Sequence, residues 1–280
     1  MSALLQPNLT QAQLTQPLAV VDAFTSRAYS GNPAGVCLLD ELAPPDWMQR
    51  VACELNHAET AFVWPLPSHQ YSLRWFTPVI EVDLCGHATL AAAHWLWQSG
   101  ALAGDAAAHF ETLSGPLSAV KRGEWIELDF PAELATEVQP PVDMAALLGA
   151  QPLWIGANRL DYLVELPSAE QVRSLTPDLA HFGPLGKRGV IVTAAGDEGY
   201  DIVSRGFFPN LGIPEDPVTG SAHCALAPYW AAKLGKSELS AYQASARGGE
   251  LRLRLEGERV KLLGQAVITL EGRIAGPPKV

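Results

Sequence analysis

The chain consists largely of short segments in which apolar residues alternate with polar ones or form brief runs. Residues 18–24 and 35–39 are apolar and flank the turn sequence Gly31-Asn32-Pro33, and residues 71–76 and 201–208 have the same strand-like character. Similar segments follow in the second half. The pattern predicts many short strands joined by tight turns.

Helices interrupt these strands, and two of them are apolar on nearly every face. They are predicted at residues 88–98 and 223–234, and each ends at a glycine. A helix without a polar face is enclosed by the rest of the protein. Another helix is predicted to open at Pro44-Pro45-Asp46, where prolines favour a first turn, and to close at Asn56.

The approaches to the two apolar helices resemble each other. Residues 76–95 and 208–230 each run from a strand through an acidic loop and a glycine into the helix. The two glycines, Gly86 and Gly220, are separated by about half the chain. We therefore predict an α+β fold of two pseudo-symmetric domains, each a mainly antiparallel curled β-sheet or barrel around a central buried helix.

A connector rich in proline and glutamate divides the chain. It covers residues 131–141, and we place the domain boundary at its start. The predicted organisation is a loose N-terminal extension at residues 1–17, a first domain at 18–130 and a second at 131–280. The extension is polar and lacks basic residues, so it fits neither a signal peptide nor a transit peptide.

A pseudo-twofold axis would bring the N-termini of both apolar helices to one cleft between the domains. Helix N-termini carry unpaired N–H groups and a partial positive charge, which favour an anion such as a substrate carboxylate. Ser221 is predicted to be the N-cap of the second helix, a role compatible with ligand binding. Domain interfaces are also common ligand sites.

Composition narrows the choice of partners. The 280 residues carry 19 basic and 30 acidic side chains and a net charge of −11, which argues against nucleic acid and anionic membranes as partners. No apolar run is long enough to span a bilayer. The four cysteines form no C-x-x-C pair, and a chain of this size needs no disulfides, so we expect a cytoplasmic protein.

Four polar residues are candidates for chemistry, and each also has an ordinary structural interpretation. Glu59 begins a half-buried strand, where it could be a solvated carboxylate or an acid/base with a raised pKa. His87 could be a polar residue at a helix start or a proton-handling group. Asp216 could simply form an Asx turn, and Ser221 could simply be the cap of its helix.

Other chemistries find weaker support in the sequence. His57-Ala58-Glu59 resembles half of a zinc deaminase motif, but no P-C-x-x-C follows, so we expect no metal. A two-thiol racemase would need a cysteine at each helix entry; Cys85 lies at the first, whereas Cys224 lies about one turn into the second helix. Neither glycine-rich nucleotide-binding motif is present, so no nucleotide cofactor is indicated.

Four motifs together resemble one known family. They are SGNPAGV at residues 30–36, NHAETAFV at 56–63, FTPVIEVDLCGHATLAAA at 76–93 and EDPVTGSAH at 215–223. In this order they resemble the phenazine-biosynthesis isomerase (PhzF-like) family, a branch of the diaminopimelate-epimerase fold, over nearly the whole chain after residue 17. The resemblance implies two epimerase-like domains, a homodimer, and no metal or organic cofactor.

The same resemblance assigns roles to residues. Glu59 corresponds to the catalytic acid/base, and the other motif positions correspond to the substrate-binding cleft. These positions are Gly86, His87, Asp216, Thr219, Gly220 and Ser221. The characterised phenazine enzyme isomerises a dihydro-hydroxyanthranilate by moving a proton along a conjugated system. Ala58 and the GHAT sequence at 86–89 depart from that enzyme and are more similar to the broad group of phenazine-biosynthesis-like proteins.

The sequence therefore predicts a cofactor-independent proton-shift isomerase that acts on a small carboxylate substrate. The substrate would be a dihydro-hydroxyanthranilate-like or amino-acid-derived compound, with Glu59 as the acid/base. Two alternatives remain open at this point. One is a two-thiol amino-acid epimerase or racemase that uses Cys85 and Cys224, and the other is a non-catalytic binding or regulatory member of the fold.

Overall fold

The computed structural model describes residues 15–277 and shows an α+β fold with 18 strands and few helices. Residues 1–14 of the predicted extension lie outside the described residues. Residues 15–17 belong to the first strand, because Thr15, Gln16 and Pro17 lie in register with the last strand of the chain. Strand β1 thus includes three residues before the predicted domain start.

The strands fall into two groups of nine, one in each half of the chain. The first group is β1 (Thr15–Ala23), β2 (Asn32–Leu38), β3 (Glu59–Leu66), β4 (Gln70–Phe76), β5 (Glu81–Val82), β6 (Ala108–Thr112), β7 (Gly115–Arg122), β8 (Trp125–Pro131) and β9 (Thr136–Glu137). The second group is β10 (Trp154–Ala157), β11 (Tyr162–Glu165), β12 (Val190–Ala195), β13 (Ile202–Phe208), β14 (Ile213–Asp216), β15 (Glu238–Gln243), β16 (Gly249–Glu256), β17 (Arg259–Gly264) and β18 (Ala266–Ala275).

Five α-helices connect these strands. They are α1 (Pro45–Leu55), α2 (Gly86–Gln98), α3 (Met144–Leu148), α4 (Ala169–Ser174) and α5 (Gly220–Leu234). The helix predicted between Pro44 and Asn56 is confirmed as α1, and Asn56 closes it in the left-handed conformation at φ 51°. The two apolar helices are confirmed as α2 and α5, which begin two and three residues earlier than predicted. Within residues 15–277, no helix is long and apolar enough to cross a membrane.

The predicted duplication is visible in the strand pairings. Strands β2 and β3 pair in parallel, and so do β11 and β12, which lie nine strands later. The parallel pair β4–β6 corresponds in the same way to β13–β15. The other pairings are antiparallel, and those of the first half recur nine strands later in the second half. The two halves therefore share one pairing pattern.

The halves exchange their last strands. Strand β9 follows the first half but pairs with β10 of the second, and β18 follows the second half but pairs with β1 of the first. Strands β8 and β17 also pair and join the two halves into one continuous sheet. The predicted division assigned residues 131–280 to the second domain, whereas the pairings place the final strand of that range beside β1.

Helices α2 and α5 lie at the centre of the two halves. Ten of the 13 residues of α2 are buried, and most of the apolar side chains of α5 are buried as well. Both helices contribute to one apolar core that extends through both halves. Burying a large apolar side chain contributes about 1.5–3 kcal/mol, so this shared core holds both helices in place.

Smaller apolar clusters cover the opposite faces of the sheet. Helix α1 packs there in the first half, on side chains that include Phe62 and Trp64, while Ala61 and Val63 of the same strand point into the central core. Helices α3 and α4 form the corresponding cluster in the second half. The alternation of side chains along each strand thus separates an inner face from an outer one.

Candidate active site

The N-termini of the two central helices meet between the halves, as the sequence predicts. A methyl group placed on Gly86 would lie 3.6 Å from the Cα of Gly220, and one placed on Gly220 would lie at the same distance from the Cα of Gly86. The strands and loops that precede both helices therefore deliver their polar side chains to one place.

The prediction that Ser221 caps its helix is wrong. Helix α5 begins at Gly220, so Ser221 is its second residue and Thr219 occupies the cap position. The backbone of Thr219 is extended, and its carbonyl accepts from the N–H of His223. The Thr219 hydroxyl donates to Asp216, and the Thr219 side chain accepts no hydrogen bond from the first turn of α5.

Glu59 and His87 lie in contact at this junction. Glu59 is the first residue of β3, and His87 is the second residue of α2. Glu59 Oε2 lies 3.3 Å from His87 Nε2, and the Glu59 side chain is 13% exposed. The structure thus brings together the two residues that the sequence predicts for proton handling, and the Glu59 side chain keeps a small exposed fraction.

Burial makes Glu59 an unusually weak acid. Desolvation and, to a smaller extent, the negative charge of Asp216 raise its pKa from 4.5 to about 8, against the opposing effect of a hydrogen bond from Cys85. A carboxyl group of this kind holds its proton near neutral pH. Once ionised, it is a strong base in a site that little water reaches.

His87 is neutral in the same site. Burial and the nearby His57 lower its pKa to about 3. Its Nδ1 lies 3.3 Å from the amide nitrogen of Asn32 and 3.4 Å from Cys85 Sγ, and its Nε2 faces Glu59. The pair therefore consists of a neutral imidazole and a carboxyl group that can ionise beside it.

Asn32 links the two halves of the site. Its amide nitrogen donates to Asp216 Oδ1 at 2.8 Å and to the carbonyl of Val218 at 2.9 Å, besides its contact with His87. These two acceptors require that the nitrogen, not the oxygen, faces them. Asn32 stands at the start of β2 and so connects α2 of the first half with the loop that enters α5.

Asp216 is held by a network of neutral donors. Thr219 Oγ1 donates to its Oδ2 at 2.5 Å, and the side chain of Gln243 bridges the backbone of Asp216 and Thr219. Burial raises the pKa of Asp216 to about 6, against the hydrogen bonds from Thr219 and Asn32 and the charge of Arg188. The site therefore contains two carboxyl groups, and Asp216 is the more acidic.

Ser221 lies on the other side of the junction, beside Arg188. Its hydroxyl oxygen accepts from Arg188 Nη2 at 3.2 Å. The same guanidinium donates to both carboxylate oxygens of Asp161, at 3.1 and 2.6 Å. The predicted site residues are thus arranged with Glu59 and His87 at the end of α2, and with Asp216, Thr219 and Ser221 at the end of α5.

Sequence reasoning missed three polar residues of the site: Asn32, Arg188 and Gln243. Asn32 had a signal, because it lies in the motif at residues 30–36, but it was interpreted only as part of a turn. Arg188 lies just before β12, as Glu59 lies at the start of β3, so the duplication could have indicated it. Gln243 lies at the end of β15 and has no local signal.

One atom from each of Glu59, Cys85 and His87 lies within 4.8 Å of the others, a donor set that could hold a metal ion. Desolvation and the charges of Glu59 and Asp216 raise the pKa of the Cys85 thiol. A metal there would have to overcome this cost of forming the thiolate. The absence of a metal stays a prediction.

The two thiols of the racemase alternative differ in their surroundings. Cys85 contacts His87 Nδ1 at 3.4 Å and is part of the site. Burial raises the pKa of Cys224 to about 12, and Glu133 and Arg259 are its charged neighbours. At the position in α5 that corresponds to Cys85, the residue before the first glycine, the chain has Thr219.

Comparison with known proteins first defines the class of fold. A crystal structure of a hydroxyproline epimerase from Agrobacterium vitis with bound trans-4-hydroxy-L-proline superposes with a TM-score of 0.62 at 10% identity, over 93% of this chain and 92% of that one. At such low identity the similarity shows the fold alone. The protein therefore has an epimerase-like fold, as the sequence predicts.

Similarity in sequence assigns the chain to one family within this class of fold. The model of the phenazine biosynthesis-like protein family matches residues 21–272, and the chain belongs to this family. It is 51% identical to an uncharacterized isomerase of Halalkalibacterium halodurans, over 93% of this chain and 99% of that protein. A crystal structure of a PhzF-family protein from Enterococcus faecalis has a TM-score of 0.89 at 42% identity, over 93% and 99% of the two chains.

The buried carboxyl group should reduce stability, and Glu59→Gln tests this. Because its folded pKa of about 8 exceeds the ordinary value of 4.5, the stability that Glu59 contributes is complete below pH 4.5 and is lost as the pH rises through 8. The Gln variant lacks this loss. We expect a gain in unfolding free energy on the order of 3 kcal/mol at pH 7, measured by urea unfolding.

The gain should shrink as the pH falls to about 4.5, where both proteins carry a neutral side chain at this position. Asp40→Asn, at an exposed position in the loop after β2, is the control and should show no such trend. A Glu59→Gln variant that is no more stable at pH 7 than at pH 4.5, relative to the wild type, would contradict the raised pKa.

Proposed function

We propose that the protein is a proton-shift isomerase that acts on a small carboxylate substrate, with Glu59 as the acid/base. The observation that carries this proposal is the position of Glu59. It is a buried carboxyl group with a raised pKa, in contact with a neutral histidine, where two helix N-termini meet. Acids and bases matched to near-neutral pH in a dry cleft are typical of such chemistry.

In this mechanism Glu59 removes a proton from a C–H bond that neighbouring groups acidify, and it returns the proton at a second carbon. The electron pair of the broken C–H bond moves into the conjugated system of the substrate and forms the new C–H bond at the second site. His87 and Asp216 position or protonate the polar groups of the substrate. The helix ends at Gly86 and Gly220 and the Ser221 hydroxyl hold its carboxylate.

The relatives support the reaction class and leave the substrate open. A relative at 51% identity bears the name isomerase, and we carry that class over to this chain. A proton shift needs no redox partner and no activated group, so the side chains named above suffice for it. We therefore also propose that the enzyme works without a cofactor, on a dihydro-hydroxyanthranilate-like or amino-acid-derived acid.

The two-thiol alternative is disfavoured by the surroundings of the cysteines. Only Cys85 lies in the site, and burial raises the pKa of both thiols, whereas a thiol pair needs an accessible thiolate. A non-catalytic binding protein could use the same residues to bind its ligand, so only a measurement of turnover distinguishes it from an enzyme. Assembly as a homodimer and a cytoplasmic location stay predictions; light scattering on the 30.0 kDa chain tests the first.

Glu59→Gln should abolish the proton shift. The purified protein is incubated in D₂O with a panel of dihydroaromatic and amino acids, and mass spectrometry follows deuterium incorporation. For the acid that the wild type labels, we expect a loss of about 100- to 10,000-fold in the variant, because Gln cannot exchange a proton at this pH.

The control is Glu54→Gln, at an exposed position on α1, which should label like the wild type. Labelling that is unchanged in Glu59→Gln would remove Glu59 from the mechanism. A wild type that labels and converts no acid would favour the binding protein.

Cys85→Ala separates the thiol mechanism from the carboxyl mechanism. If the ionised form of Glu59 is the base, kcat/KM rises with pH through a pKa near 8. Because the hydrogen bond from Cys85 lowers the pKa of Glu59, removing the thiol should move this rise to higher pH and leave the activity on the plateau within about tenfold. The pH–rate profile of both proteins provides the measurement.

A Cys85→Ala variant without activity at any pH, together with an inactive Cys224→Ala variant, would support the two-thiol epimerase instead. Retained activity with an unshifted profile would show that the thiol does not contact the catalytic carboxyl group.

A further inference from the structure

Arg188 is a cation inside the site to which the proposed mechanism gives no role. It lies just before β12, and its side chain is 30% exposed. Its guanidinium contacts Ser221 on the first turn of α5, and its charge reaches Asp216, whose pKa it lowers. Arg188 is therefore placed at the α5 end of the helix junction, whereas Glu59 lies at the α2 end.

The guanidinium is fixed in one orientation and keeps donors free. Asp161, whose side chain is 1% exposed, binds the edge formed by Nε and Nη2. Within residues 15–277, Nη1 makes no hydrogen bond. The N–H groups of Nη1 are therefore the donors on which a second carboxylate can bind, and the buried partner Asp161 holds them in place beforehand.

Ser221 is oriented by the same contact. Because its oxygen accepts from Arg188 Nη2, its hydroxyl proton is free to point elsewhere. The first N–H groups of α5 lie beside it, and the side chain of the cap residue does not satisfy them. A guanidinium, a hydroxyl donor and a helix N-terminus thus converge on one position.

We propose that Arg188 is the residue that binds the carboxylate of the substrate. Together with Ser221, it makes the enzyme select acids over uncharged analogues. The inference deepens the proposed function and rests on it for the nature of the substrate. It also gives the cleft a direction: the carboxylate binds at the α5 end, and the reacting C–H bond faces Glu59 and His87 at the α2 end.

The test is a comparison of a carboxylate with its uncharged amide. Anthranilate and anthranilamide, and benzoate and benzamide, serve as probes, and calorimetry measures their dissociation constants. The wild type should prefer each acid over its amide. Arg188→Gln removes a charged hydrogen bond to the acid, so it should weaken binding of the acid and leave binding of the amide unchanged. The preference should therefore fall about 10- to 100-fold.

Two further variants separate ligand binding from structure. Arg159→Gln changes an arginine of the same half that is 68% exposed and pairs with Glu133 at the surface, so it should keep the full preference. Arg188→Lys keeps the charge without the planar edge and should keep part of the preference. If Arg188→Gln does not fold, a crystal of the wild type soaked with anthranilate gives the answer.

Several results would overturn the proposal. They are a wild type with no preference for acids, an Arg188→Gln variant that keeps the preference, or a soaked carboxylate bound out of reach of Arg188. The measurement is independent of turnover, so it also distinguishes the two proposals. If Glu59→Gln labels substrate normally but Arg188→Gln loses the acid preference, the proposed mechanism is wrong and Arg188 is still the carboxylate receptor. If Glu59→Gln loses labelling but Arg188→Gln keeps the acid preference, only the proposed mechanism is retained.

Discussion

The structure depends on the meeting of two buried helix N-termini. Helices α2 and α5 fill the centres of two halves built on the same plan, and their first glycines approach each other across the junction. Because each helix is enclosed by its own sheet, its axis and its starting point are set by the core. The partial positive charge of both N-termini is therefore directed at one small volume, where an anion is favoured.

The same enclosure explains the chemistry of the site. Glu59 lies at the start of a strand in the first half, and the loop that carries Asp216 lies in the second. The exclusion of water from the junction, and the charge of Asp216, raise the pKa of Glu59 above that of Asp216. Keeping such a group buried costs stability, and an active site retains it because it supplies a base.

Much of the fold could be predicted because it rests on strong local patterns. The apolar helices, the glycine before each of them and the closure of α1 at Asn56 are all visible in the sequence. The exchange of β9 and β18 could not be predicted, since a strand carries no local mark of its partner. Ser221 was misplaced because the helix begins one residue earlier, at Gly220, and Thr219 takes the cap position while its hydroxyl donates to Asp216. Asn32 and Arg188 act across the junction, so only their positions in three dimensions reveal them.

The junction of the two halves holds Glu59 as a protonated carboxyl group near neutral pH. Carbon-13 NMR of protein labelled at the glutamate side-chain carboxyl carbons measures this protonation, with Glu59→Gln to assign the resonance. We expect a titration of Glu59 with a midpoint near pH 8 that moves when Asp216 is replaced by Asn. A midpoint near the ordinary value of 4.5 would contradict it.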